Sequence, residues 1–93
     1  METVEGFVRE LIYEQLSLFT DEDKERVTQN EDLYRELGAD SLDIVEMVGK
    51  IEASYDWPKG EITDEEWQEI RTYRDVVNCV KHHLGDRLEF VTL

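Results

Sequence analysis

The sequence predicts an all-α fold, a small four-helix bundle with three main helices and one short one. Three observations predict it. Apolar residues recur at three- and four-residue spacing along most of the chain. Helix-start signals stand immediately before those stripes. No segment alternates apolar and polar residues as a half-buried strand does.

The first helix is expected over roughly residues 3–17. Val4, Phe7, Val8, Leu11, Ile12 and Leu16 form one continuous stripe, with Glu5, Arg9 and Glu14 off it. Thr3 is its expected N-cap, and Gly6 weakens its first turn by ~1 kcal/mol relative to alanine. Residues 19–37 read as a long loop with room for one helical turn, with a charge cluster from Thr20 to Arg26 and core anchors at Leu33 and Leu37. The next helix starts sharply. Gly38-Ala39 makes the turn, Asp40 is the N-cap, and Asp43 three residues on completes a short-armed capping box. Leu42, Val45, Val48, Ile51, Glu52 and Tyr55 share one side, which leaves Ile44 and Met47 partly exposed. Pro58 disfavours helical geometry at Trp57 and so ends this helix. Thr63-Asp64-Glu65-Glu66 is a capping box that opens a short helix. The last helix begins near Thr72-Tyr73-Arg74-Asp75, buries Tyr73, Val76, Val77, Val80 and Leu84, and ends at Gly85 as its C′ residue. His82 and His83 are then last-turn residues. Residues 1–85 form the expected helical domain, and 86–93 form a C-terminal tail.

Composition limits the function. The chain has 93 residues, enough for one domain. Its formal net charge is -14, from 24 acidic and 10 basic residues. Such a chain repels nucleic-acid backbones and anionic membranes, and favours basic protein surfaces. One cysteine, Cys79, excludes an internal disulfide and a multi-cysteine zinc site. With no signal-like N-terminus or spanning stretch, the expected address is cytoplasmic and Cys79 a reduced packing residue. No metal site is expected. Asp21-Glu22-Asp23 lacks the glycine and alternating ligands of a calcium loop, so only weak divalent binding to the acidic surface is expected there. The adjacent His82 and His83 point in different directions on a helix.

Ser41 is the residue that narrows the function. A serine at a helix start lies where the macrodipole stabilises a phosphoester by ~0.3–1 kcal/mol. With no base in sequence reach, it is better suited to being modified than to attacking a substrate. The segment Glu36-Leu37-Gly38-Ala39-Asp40-Ser41-Leu42-Asp43-Ile44-Val45-Glu46-Met47-Val48 closely resembles the acyl carrier protein family. The resemblance extends over about residues 3–84, including Glu61-Ile62-Thr63-Asp64-Glu65-Glu66. It implies that Ser41 receives 4′-phosphopantetheine from coenzyme A, transferred by a separate magnesium-dependent phosphopantetheinyl transferase. The arm's thiol then carries acyl groups as thioesters for fatty acid or related specialised polyketide or lipid biosynthesis, and the bundle can shelter the chain. Asp40 matches the acid that helps hold the transferase's metal. Leu42, Asp43, Val45, Glu46, Met47 and Glu52 match the side that faces acyl-loading and acyl-using enzymes. The chain is then a monomeric carrier and not an enzyme. Departures from the family pattern occur at Gly49, Lys50, Ala53, Ser54, Trp57-Pro58-Lys59-Gly60, Trp67 and Tyr73, and in the tail. They make a specialised carrier credible. An aminoacyl or peptidyl carrier is the alternative within the class, and an unmodified acidic adaptor for a basic partner is the alternative outside it.

Overall fold

A computed structural model describes the backbone of residues 3–92 and the side chains of residues 3–85. The described backbone holds helices α1 (Val4–Gln15), α2 (Asp21–Thr28), α3 (Ser41–Ser54), α4 (Asp64–Gln68) and α5 (Tyr73–Thr92). Among the described residues there is no strand, and no helix is long and apolar enough to cross a membrane.

Local chemistry sets the helix starts. Thr3 accepts a hydrogen bond from Gly6 N at 3.0 Å, and Thr20 accepts one from Asp23 N at 3.1 Å. Asp40 and Asp43 exchange both capping bonds, at 2.9 and 3.1 Å. Thr63 and Glu66 do the same, each at 3.2 Å. At the start of α5, Thr72 Oγ1 accepts from Asp75 N, and Asp75 accepts in return from Thr72 N. The ends of α1, α2 and α3 share another device. Ser17, Asn30 and Asp56 have φ of 56°, 67° and 56°. The next residue's N–H then reaches back five residues, as from Trp57 N to Glu52 O at 2.8 Å. These are Schellman ends without glycine. The chain-stopping geometry at residue 56 is therefore a left-handed aspartate as well as the proline two residues on.

α1 packs against α5, α3 and α2, and α4 leans on α3. Val8, Leu11 and Ile12 of α1 meet Ile44, Met47 and Ile51 of α3 and Val76, Val77 and Val80 of α5 in one core. Leu33 from the α2–α3 connection and Trp57, Ile62 and Ile70 from the later loops close it.

Four expectations are corrected. Residues 19–37 contain a two-turn helix, α2, which is polar enough to hide from an apolar-stripe reading because only Val27 is buried. Its acidic first turn suits the positive end of the helix dipole. α5 continues past Gly85 to Thr92, so residues 86–92 are helical and Gly85 is not its terminator. His82 and His83 are consequently interior to α5. Finally, α3 is rotated from the expected face. Ile44 and Met47 are each only 1% exposed, whereas Leu42 is 62% and Val45 43% exposed.

Candidate functional site

α3 begins in a tightly tied turn. Gly38 has φ +77°, a left-handed conformation that L side chains rarely adopt. Ala39 N donates to Leu33 O at 2.9 Å, which fastens the turn to the buried leucine. Leu33 N donates in turn to Arg71 O at 2.7 Å, so the connection is laced to the start of α5. Asp32 Oδ1 accepts from Tyr34 N and Arg35 N, both at 2.9 Å. The sequence thus places a serine on a rigid platform, with its side chain exposed as the first residue of α3.

The acids beside Ser41 are engaged in structure. Asp40 is exposed and caps α3 through Asp43 N. Asp43 accepts from Gln15 Nε2 at 3.0 Å as well as from Asp40 N. The Gln15 bond first, and the Asp40 backbone bond next, hold the Asp43 carboxyl below the usual range. Gln15 also donates to Glu46 Oε2 at 2.9 Å and accepts from Lys50 Nζ at 3.0 Å. One amide at the end of α1 therefore organises the acidic face of α3. Neither Gln15 nor Lys50 was singled out from sequence for this role, because their partners lie 28–35 residues away.

The predicted partner-facing residues divide. Leu42, Val45 and Glu46 are exposed and Asp43 is half-buried, on the turns that follow Ser41. Met47 is in the core, and Glu52 is 5% exposed. Glu52 Oε2 accepts from Gly60 N at 3.1 Å and Ile62 N at 3.0 Å, which ties the α3–α4 connection to α3. The outward placement expected for Met47 and Glu52 is thereby corrected. Packing of α3 on α1 and α5 takes the 44/47/48/51 stripe inward.

Ser41 opens onto a groove of about 630 Å³ lined also by Asp32, Tyr34, Arg35, Trp67, Glu69 and Arg71. Arg71 is held by neutral groups. Its Nη1 donates to Gln68 O at 2.7 Å and Ile70 O at 2.9 Å, and its guanidinium lies 5.2 Å from the Tyr34 ring centroid. A second, apolar space lies between α3 and α5, lined by residues such as Met47, Ile51, Ile62, Ile70 and Val80. Its volume is only about 10 Å³. That is no more than roughly one water-sized probe.

The tryptophans have distinct surroundings. Trp57 is buried and stacks on Tyr55 at 5.0 Å between centroids, while half-buried Trp67 donates to Asp64 Oδ1 at 3.1 Å. His83 is 7% exposed and sits between Glu61 and Glu66. Burial pulls its pKa down, but the hydrogen bonds to Glu66 and then Glu61 outweigh this and raise it.

A family model described as a phosphopantetheine attachment site matches residues 7–80. The match begins within α1, contains the whole Ser41 platform and the groove, and ends in α5. Carrier domains of this kind are not enzymes. They accept covalent 4′-phosphopantetheine from a phosphopantetheinyl transferase and present its cargo to acyl-handling enzymes. A match over most of the chain, on a helical bundle that presents a serine at the head of α3, shows that the chain belongs to the phosphopantetheine-attachment family of carrier domains.

Proposed function

We propose that the chain is an acyl carrier whose 4′-phosphopantetheine arm is esterified to Ser41 Oγ, and that Leu42, Asp43, Val45 and Glu46 form the surface its partner enzymes read. The observation that carries this reading is the exposed Ser41 at the head of α3, inside an Asp40-Ser41-Leu42 sequence. An attachment residue must enter another enzyme's active site, and Ser41 is exposed while its backbone is fixed by the capping box. When bound, the arm supplies a terminal thiol that carries cargo as a thioester.

The residues around Ser41 suit that group. A phosphodiester on Ser41 Oγ adds negative charge at the N-terminus of a 14-residue helix, where the macrodipole stabilises it. Arg35 and Arg71 line the same groove beside the acids Asp32 and Glu69, so the groove is balanced in charge in a chain otherwise dominated by acids. Arg71 is already ordered by Gln68 O and Ile70 O, so it loses little side-chain entropy on meeting an anion. Asp40, exposed beside Ser41, is placed to contribute to the transferase's magnesium while it caps α3.

Cargo of the acyl class is favoured by the lining between α3 and α5, which is aliphatic apart from Met47 and Cys79. With about 10 Å³ open, that space admits a chain only if side chains such as Met47 and Ile62 move outward. Methionine suits such repacking because its unbranched thioether changes rotamer readily. The departures at Trp67, Tyr73 and the α3–α4 connection support service to a specialised pathway.

Incubation of the apo chain with coenzyme A, magnesium and a broad-specificity phosphopantetheinyl transferase should raise the intact mass by one phosphopantetheine. Ser41→Ala should show no gain. An unmodified wild-type chain with several transferases would favour the adaptor reading.

Docking has its own expected result. Leu42→Ala removes most of an exposed side chain worth ~1.5–3 kcal/mol when fully covered. It should reduce kcat/KM of a partner enzyme for the carrier about tenfold, with the melting temperature of the carrier unchanged. Val45→Lys should do the same. Unaltered partner kinetics for both variants would remove this face from the docking surface.

A further inference from the structure

Glu66 on α4 and Cys79 and His83 on α5 bring together a carboxylate, a thiol and an imidazole, although the sequence spreads them over 18 positions. Glu66 Oε, Cys79 Sγ and an imidazole nitrogen of His83 all lie within 4.8 Å of one another. Cys79 Sγ is 3.9 Å from Glu66 Oε2, and His83 Nε2 is 2.6 Å from that same oxygen. Cys79 and His83 are four residues apart, one above the other on the same face of α5.

The other atoms of two of these groups are already tied. His83 Nδ1 is 2.9 Å from Glu61 Oε2, the carboxylate–imidazole arrangement that orients a histidine for a metal. Glu66 Oε1 accepts from both Thr63 N at 3.2 Å and Thr63 Oγ1 at 3.1 Å, which turns Oε2 toward the imidazole and the thiol. A route in exists as well. Glu66 and Cys79, though not His83, line an open groove of about 330 Å³ whose other lining residues include Glu69 and Asp75, acids that favour cations.

From this geometry we propose that Glu66, Cys79 and His83 form a binding site for a zinc-class divalent ion, with Glu61 and Thr63 as positioning residues. The nitrogen–sulfur–oxygen donor set suits Zn²⁺, with a fourth position open to water, and suits Mg²⁺ or Ca²⁺ poorly. Simple ion pairing explains why His83 lies between Glu61 and Glu66. Cys79 also packs against the core, but neither packing nor ion pairing requires its Sγ to lie 3.9 Å from Glu66 Oε2 and beside the imidazole. On binding, the Cys79 S–H proton and the proton shared by His83 and Glu66 leave to water, and bonds from sulfur, nitrogen and oxygen to the ion replace them. The ion would staple the short α4 to α5, next to the Ser41 groove, with which α4 shares Trp67. The proposal does not depend on the arm.

The test uses the full chain carrying Ser41→Ala, so that no arm thiol competes. Cobalt titration should saturate at one equivalent, with a thiolate-to-cobalt charge-transfer band and tetrahedral visible bands that zinc discharges. Zinc at that stoichiometry should raise the melting temperature, and magnesium at the same concentration should not. Adding Cys79→Ser, with the metal-free melting temperature checked, should abolish the charge-transfer band and weaken zinc binding about tenfold or more. Glu66→Gln, which keeps the Thr63 cap acceptor, should weaken zinc binding similarly and guards against a misfolded serine variant. Absence of the charge-transfer band in the parent chain would overturn the site. So would zinc affinity unchanged in both variants, which would leave only a proton-bound ion pair and adventitious carboxylate binding.

Discussion

Glu52→Ala should lower the unfolding free energy by about 3 kcal/mol, from the loss of a charged acceptor for two backbone donors. Glu52 is 5% exposed, and its carboxylate takes Gly60 N and the buried Ile62 N on one oxygen. Alanine leaves both N–H groups without that partner, and a buried unsatisfied group costs ~1–3 kcal/mol. A 93-residue chain has a total stability on the order of 5–14 kcal/mol at typical values per residue. The loss is therefore a large fraction of the whole, and thermal unfolding followed by circular dichroism should shift down by roughly 12–24 °C. Glu52→Gln keeps an acceptor and should shift less. A melting temperature for Glu52→Ala within the error of wild type would show that this carboxylate does not hold the α3–α4 connection.

Leu33→Ala should cost a similar amount, about 3 kcal/mol within the ~2–5 kcal/mol range for buried leucine truncations. Leu33 is fully buried although it lies outside any helix. Its backbone also joins the Ser41 platform to the rest of the bundle, through Arg71 O on one side and Ala39 N on the other. Cavity formation at this point loosens the segment that leads into α3. Two readouts should move together: the midpoint of denaturant unfolding, and the rate at which a transferase modifies the chain at a temperature where the variant is still folded. Leu37→Ala, at a half-buried position on the same segment, is the control and should cost less. A Leu33→Ala variant as stable as the Leu37→Ala control would mean that the segment is not anchored in the core.

Much of this structure was readable from local signals. Thr3, Asp40 and Thr63 each announce a helix start, and the expected α1 agrees with the observed one to within two residues at each end, because caps and apolar spacing act within one or two turns. α2 is longer than the single turn that the sequence suggests, because apolar spacing gives it little signal. Its Thr20-x-x-Asp23 cap was legible, while its sides are too charged to show a stripe. The face of α3 was misassigned for a different reason. Leu42, Ile44, Val45, Met47, Val48 and Ile51 cover more than half its circumference, so two overlapping stripes compete. Only burial in the core shared with α1 and α5 decides that Ile44 and Met47 go in while Leu42 and Val45 stay out. Gly85 misled through a rule that holds for glycine at helix ends, whereas here α5 runs on to Thr92.

The candidate site divides along the same line. Ser41 and Asp40 stood out because the motif is contiguous. Gln15, Tyr34, Arg35 and Arg71 did not, since their relation to Ser41 and to the α3 acids is made by tertiary packing. The pairing of His83 with Glu61 and Glu66 was hidden in the same way, across 22 and 17 residues. The prediction of Met47 as a docking residue fails on its burial. A lysine there would place a charge in the core and unfold the chain instead of slowing its partners.

The most direct test is tandem mass spectrometry of the Ser41-containing peptide from protein purified out of its own host. The chain has three serines, at 17, 41 and 54, so the modified position can be assigned from fragments. A phosphopantetheine ester on the residue 41 peptide, bearing a thioester-linked acyl group in part of the population, is the predicted result. A peptide found bare at Ser41 in cells where the pathway is running, or an adduct at Ser17 or Ser54 instead, would contradict it.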